Sequence, residues 1–127
     1  MAFYNHIMVI LTISVVVLLP TVIIATEYVV GDGSGWTIGY DYQAWANTKQ
    51  FKVGDTIVFN YPKGSHNVFK VNQSSFVDCV IPPPSEAYTS GHDVLALSTP
   101  GKTWYICGVG EHCSEYQQKV AINTKAC

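Results

Sequence analysis

The sequence predicts an all-β domain, a sandwich or barrel, and three observations carry that prediction. Short β-rich runs recur along the chain, turn clusters rich in Gly, Pro and Ser separate them, and their spacing is regular. The first run, EYVV from residue 27, alternates and meets the turn cluster GDGSG. The next stretch, YDYQAWANT, has no strand alternation and reads as a short helix or an irregular crossover. FKVGDTIVFNY carries a Gly-Asp break and then sets Ile57, Phe59 and Tyr61 at period two. NVFKV is a further strand, and SSFVD, before Cys79, a further short helix or irregular crossover. The prolines at 82 to 84 form a stiff surface loop, because they lack the donors a sheet ladder needs. DVLALS, KTWYIC and QKVAINT complete the set of strands, with PKGS, IPPPS, SGHD and TPGK as the intervening turns. Trp36, Trp45 and Trp104 are expected in the core or at its edge, where aromatics bury large areas. There is no internal repeat and no linker, so the strands belong to one domain.

The charge distribution sets a boundary near the start of that domain. The chain has 127 residues and a net charge of −2, yet residues 1 to 25 contain no Asp, Glu, Lys or Arg. Ile7 to Ala25 is almost wholly apolar, and Ala25 offers a small residue for cleavage before Thr26. The division expected is a signal peptide over 1–25 and a domain over 26–127. The opening MAFYNH lacks the usual basic residue and the apolar run approaches membrane-spanning length, but Pro20 interrupts it. Cleavage leaves about 100 residues, enough for one modest core that a covalent staple or a metal would help to hold. The weak, mixed charge excludes the basic footprint of a nucleic-acid binder. A secreted chain matures where paired cysteines oxidise, and Asn72-Gln73-Ser74 is then a glycosylation sequon.

The chemistry-bearing residues are few. The cysteines are 79, 107, 113 and 127, and the histidines are 6, 66, 92 and 112, with His6 in the leader. The stretch CGVGEHC holds Cys107, His112 and Cys113 within seven positions. One reading pairs all four cysteines as disulfides, which suits a secreted domain with an even count. A structural zinc site is disfavoured, because it uses closely spaced ligand pairs and none stands upstream. A cysteine hydrolase is disfavoured because no local signature surrounds either cysteine and so small a domain has little room for a cleft. A blue-copper centre needs two imidazoles and one thiolate, with a weak axial ligand. That layout is present: His66 at a strand start in GSHNVF, Cys107 at the end of TWYIC, His112 five residues on, and then glutamines.

These stretches, taken together, resemble a known family. YVVGDGSGW, YDYQAWANTKQFKVGDTIVFNY, SHNVFKV, the region of Cys79, SGHDVLALSTPGKTWYICGVGEHC and QKVAIN follow one another in the order found in phytocyanins, the plant cupredoxins, and most resemble the stellacyanin-like branch. They cover essentially all of residues 26 to 124. The resemblance implies a cupredoxin-like Greek-key β-sandwich or barrel of about seven or eight strands with one or two short helices. It implies one type 1 copper ion held by His66, Cys107 and His112, and a disulfide between Cys79 and Cys113, so that the two loop cysteines differ in role. The axial ligand in this family is Met or Gln. Both methionines here lie in the leader, which leaves Gln117 and Gln118. Spacing from His112 favours Gln117. Strand register favours Gln118, because it keeps Val120 and Ile122 in the apolar phase, and register is specified more firmly than loop length. Gln118 is therefore the axial residue expected. Asn67 is a candidate for a hydrogen bond to the opposite loop, His92 an exposed turn residue, and Cys127 has no evident partner.

The function implied is a secreted, non-enzymatic one-electron carrier of the cell wall or apoplast, copper cycling between Cu(II) and Cu(I). It is expected to be a monomer with no stable membrane span after leader removal, serving a small-molecule or protein redox partner. The alternative is an extracellular interaction or structural module in which copper is secondary, since a fold alone does not prove redox work. A copper oxidase ranks third, because the chain lacks the histidines for further copper centres.

Overall fold

The computed structural model describes residues 12–19 and 24–127. Most of the expected signal peptide therefore lies outside the described residues; residues 12–19 carry no helix or strand and are exposed. Among the described residues, no helix is long and apolar enough to cross a membrane.

Among the described residues, seven strands form two sheets: β1 (Glu27–Val29), β2 (Phe51–Lys52), β3 (Thr56–Asn60), β4 (Phe69–Val71), β5 (His92–Ala96), β6 (Gly101–Ile106) and β7 (Lys119–Lys125). One sheet has the order β1-β3-β5 and the other β2-β7-β6-β4. The chain changes sheet at each step from β1 to β6, and only β6 and β7 are sequence neighbours in one sheet. β1/β3 and β2/β7 are parallel and the remaining pairs antiparallel. This is the all-β sandwich that the sequence predicts.

Period-two patterning decides what faces the core. Ile57 and Phe59 are fully buried, as are Val120 and Ile122, which share a phase with Gln118 and Thr124. In β5, Asp93 and Leu95 point inward, while His92, Val94 and Ala96 are exposed. Trp36 anchors the centre, its ring 4.7 Å from Tyr42 and 4.8 Å from Phe59. Trp45 is buried with it, whereas Trp104 is half-buried at the edge. The turn before Trp36 needs glycine: Gly31 has φ 78°, and a Cβ there would meet the Gly35 carbonyl oxygen at 2.5 Å.

Both ambiguous stretches are helices. α1 (Tyr42–Asn47) starts where the Asp41 side chain accepts from the Ala44 N–H, and it buries Tyr42, Trp45 and Ala46. α2 (Gln73–Asp78) starts at Asn72, whose side chain accepts from the Ser75 N–H, and ends at Cys79 in a left-handed conformation. The Cys79 end is tied to Cys113 by a disulfide that spans 34 residues.

Candidate metal centre

Three segments converge at one end of the sandwich. His66 precedes β4 in a stretch held by Val68, which exchanges backbone hydrogen bonds with Tyr88. Cys107 follows β6 directly, and its N–H donates to the Gln118 carbonyl, so the β6/β7 ladder continues one step into the loop. His112 lies in the connection between those strands, its N–H donating to the Val109 carbonyl. The loop closes where the Gln118 N–H donates to the His112 carbonyl.

The side chains of His66, Cys107 and His112 meet. One ligating atom from each lies within 4.8 Å of the others. The two Nδ1 atoms are 3.1 Å apart, and Cys107 Sγ is 3.6 Å from Nδ1 of His112 and 4.0 Å from Nδ1 of His66. Cys107 is fully buried and the two imidazoles half-buried, so the rings are the part of the cluster that reaches solvent. Burial holds His66 below the usual histidine range, the neighbouring His112 adds to this, and the Gln118 amide works against it. Burial also pushes the Cys107 thiol up, with the backbone N–H groups of Asn67 and Val109 opposing.

The donor set suits copper. One soft thiolate with two imidazoles matches the equatorial set of a type 1 centre, and it needs neutral rings and an ionised sulfur. A fourth polar group stands close by. Gln118 is fully buried; its amide stands near enough to His66 to favour the charged ring, yet neither its oxygen nor its nitrogen makes a hydrogen bond of good geometry. Such a group is costly unless something else meets it. Gln117 is different: it is exposed, has φ 54°, and donates from Nε2 to the Ser114 carbonyl.

The surroundings hold these groups in place. Asn67 Oδ1 accepts from the Gly108 N–H at 2.6 Å, which links the His66 segment to the loop of Cys107 and His112. The Asn67 carbonyl in turn accepts from the Trp36 indole at 2.9 Å, which ties the same segment to the core. Gly108 sits so close to Phe69 that an added Cβ would clash with its ring. Sequence reasoning missed Tyr61, whose ring edge faces His66 at 6.3 Å and whose hydroxyl donates to buried Asp93. It also missed Tyr116, whose ring edge faces His112 at 6.4 Å. Period two marked Tyr61 as inward-facing, but nothing local joined it to His66. His92 is exposed, bonds to Asn60 and takes no part in the cluster. Exposed Cys127 donates to the Val53 carbonyl.

A two-sheet sandwich that gathers His, Cys and His at one end defines a cupredoxin with a type 1 copper donor set. The model of the plastocyanin-like domain matches residues 36–117. The chain belongs to that family and, within it, is a phytocyanin. It is 66% identical over 100 residues to a blue copper protein of Petunia hybrida, a match covering 79% of this chain and 38% of the relative. It is 48% identical over 122 residues to blue copper protein 1b of Medicago truncatula, covering 96% of this chain and 75% of that protein. The stellacyanin of Toxicodendron vernicifluum is 41% identical over 104 residues, covering 77% of this chain and 95% of that one. Among solved structures, Cu2+ cucumber stellacyanin superposes with a TM-score of 0.76 at 33% identity, covering 83% of this chain and 99% of that one. The cucumber basic protein, a blue copper protein, gives 0.70 at 38% identity, covering 78% and 99%.

Proposed function

We propose that this protein is a secreted type 1 copper electron carrier. The observation that carries the reading is the convergence of His66, Cys107 and His112 from separate segments, each offering a donor atom within 4.8 Å of the others. Bound there, one copper ion would supply one-electron chemistry by cycling between Cu(II) and Cu(I). Cys107 gives the buried thiolate, and His66 and His112 give neutral imidazoles. Gln118 is the axial residue in this reading, supported by its full burial and its unmet amide. The half-buried imidazoles are where a redox partner would approach, with His112 carried on the connection between β6 and β7. Cys79–Cys113 braces that loop and takes no part in ligation.

The reading includes secretion, with residues 1–25 as a cleaved signal and 26–127 as a monomeric domain. Support comes from where the packed fold starts. Thr26 donates its N–H to buried Asp55 and gives its carbonyl to the Thr56 N–H, and β1 begins at the next residue. Asn72 caps α2 through Oδ1, which leaves its exposed Nδ2 free to carry a glycan.

The test is a visible absorption spectrum during titration with Cu(II). An intense thiolate-to-copper band that saturates at one equivalent and disappears in Cys107→Ser supports the carrier. A folded, colourless protein that ignores copper overturns it. Reduction of the blue form by a donor without oxygen consumption separates the carrier from an oxidase.

A further inference from the structure

Next to the metal loop lies a cleft of about 560 Å³ that the ligand cluster does not use. Its walls come from three parts of the chain: the approach to α1, the body of α2, and the run from the loop into β7. Tyr40, Phe76 and Tyr116 supply aromatic surface, and Asp41, Gln117 and Lys119 supply polar groups. The volume falls within the roughly 300–1,000 Å³ typical of small-molecule sites, and an apolar lining with a few polar groups is their usual composition.

We propose that this cleft binds a small uncharged aromatic molecule bearing hydroxyl groups, of the phenol class, and presents it to the metal centre through Tyr116. The inference rests on the electron-carrier reading: a bound phenol would give up one electron, reducing Cu(II) held by His66, Cys107 and His112 to Cu(I), and would release its hydroxyl proton to water, leaving as a phenoxyl radical. Three observations select the class. The aromatic walls favour a flat ring, because ring pairs gain from offset or edge contacts. The charges balance, with one carboxylate and one ammonium, so a net charge of either sign on the ligand meets a like charge at one side. A neutral hydroxyl satisfies both. Asp41 uses Oδ1 on the Ala44 N–H and keeps its other oxygen as an acceptor. Lys119 donates to the carbonyls of Phe76 and Val77, and its ammonium has three donors, so one is left.

Tyr116 gives the cleft its place in the function. It is 49% exposed, and one side of it lines the cleft. Its ring also stands edge-on to His112 at 6.4 Å between centroids. A ligand in the cleft is thus separated from a metal-binding imidazole by a single aromatic side chain.

The experiment is a titration of the reduced, copper-loaded protein with hydroquinone, followed by backbone amide shifts in NMR. Reduction keeps the probe from being consumed. Saturable shifts centred on Gly39, Gln43 and Gln117 are expected, with at least tenfold weaker binding in Tyr116→Ala and in Gln43→Trp. The second variant fills the cleft from an exposed position on α1, and its blue band on oxidation reports an intact fold and centre. Shifts that never saturate, that centre on the exposed rings of His66 and His112, or that survive both variants overturn the proposal. A blue protein that does not bind hydroquinone removes the cleft and leaves the carrier; a protein that never turns blue overturns both.

Discussion

Asp55 and Gln118 are both buried polar side chains, at opposite ends of the sandwich, and the fold treats them in opposite ways. Asp55, at the turn from β2 into β3, is 4% exposed and uses both oxygens: Oδ1 accepts from Thr26 and Oδ2 from Lys52, each at 2.9 Å. Its backbone also accepts from Leu97. Gln118, where the loop enters β7, is fully buried with no partner for either amide atom. One polar group closes the chain; the other is a cost to the metal-free fold. An unmet polar group in the apolar phase of a strand, next to three converging metal donors, is how a site differs from a structural corner.

The comparison predicts substitutions of opposite sign. The largest effect belongs to the covalent brace at the Gln118 end. Replacing both Cys79 and Cys113 by Ala is expected to lower stability by about 2–4 kcal/mol, read from urea unfolding of the metal-free protein. An unchanged midpoint would mean that the loop's own hydrogen bonds suffice. At the other end, Asp55→Ala strands the Thr26 and Lys52 donors and is expected to cost about 1–3 kcal/mol. The blue band should stay as it is, because the change lies at the far end of both sheets. A shifted band would show that the two ends are mechanically coupled.

Gln118→Leu should move the other way. It keeps the approximate volume and removes an amide with nothing to bond, so the metal-free protein should gain about 1–2 kcal/mol. The gain should come with a changed reduction potential, since an axial oxygen donor favours Cu(II). Gln118→Met is expected to raise the potential for the same reason. If Gln118→Leu destabilises the metal-free protein and leaves the potential alone, the amide has a structural role and the axial assignment falls.

How much of this was legible in the sequence depends on the range over which each signal acts. Alternation is local, so Ile57, Phe59 and Tyr61 could be read as one face, and the phase of Val120 and Ile122 marked Gln118 rather than Gln117. Helices of six residues are too short for periodicity to show, which is why α1 and α2 could only be called helix or crossover. Sheet membership is a long-range property, and nothing in EYVV states that it lies parallel to TIVFN. Three tryptophans looked alike, yet Trp104 took the outward phase of β6 beside buried Tyr105. The ligand cluster spans 46 residues from His66 to His112; the donor types needed by a blue-copper centre grouped its members in the sequence, and the ordered set of family motifs singled that grouping out from the disulfide reading. Tyr116 and its cleft gave no signal, because one wall comes from a helix that lies far away in sequence.

The smallest effect expected tests the rigidity of the site end rather than its stability. Asn67 bonds the Gly108 N–H and, through its carbonyl, the Trp36 indole, so it fastens the His66 segment to both the loop and the core. Asn67→Ala removes only the side-chain bond, and a single such bond is worth about 1 kcal/mol. The consequence for the centre should exceed that figure. Groups around a metal's ligands set their orientation, and losing one typically costs about 10–100-fold in metal affinity or activity. Copper affinity is therefore expected to fall by about an order of magnitude while the unfolding midpoint moves little. Asn67→Asp keeps an acceptor for Gly108 and should restore most of the affinity. If Ala and Asp weaken copper equally, the hydrogen bond does not position His66, and the loop is held by its own backbone hydrogen bonds, by Phe69 packing against Gly108 and by the disulfide.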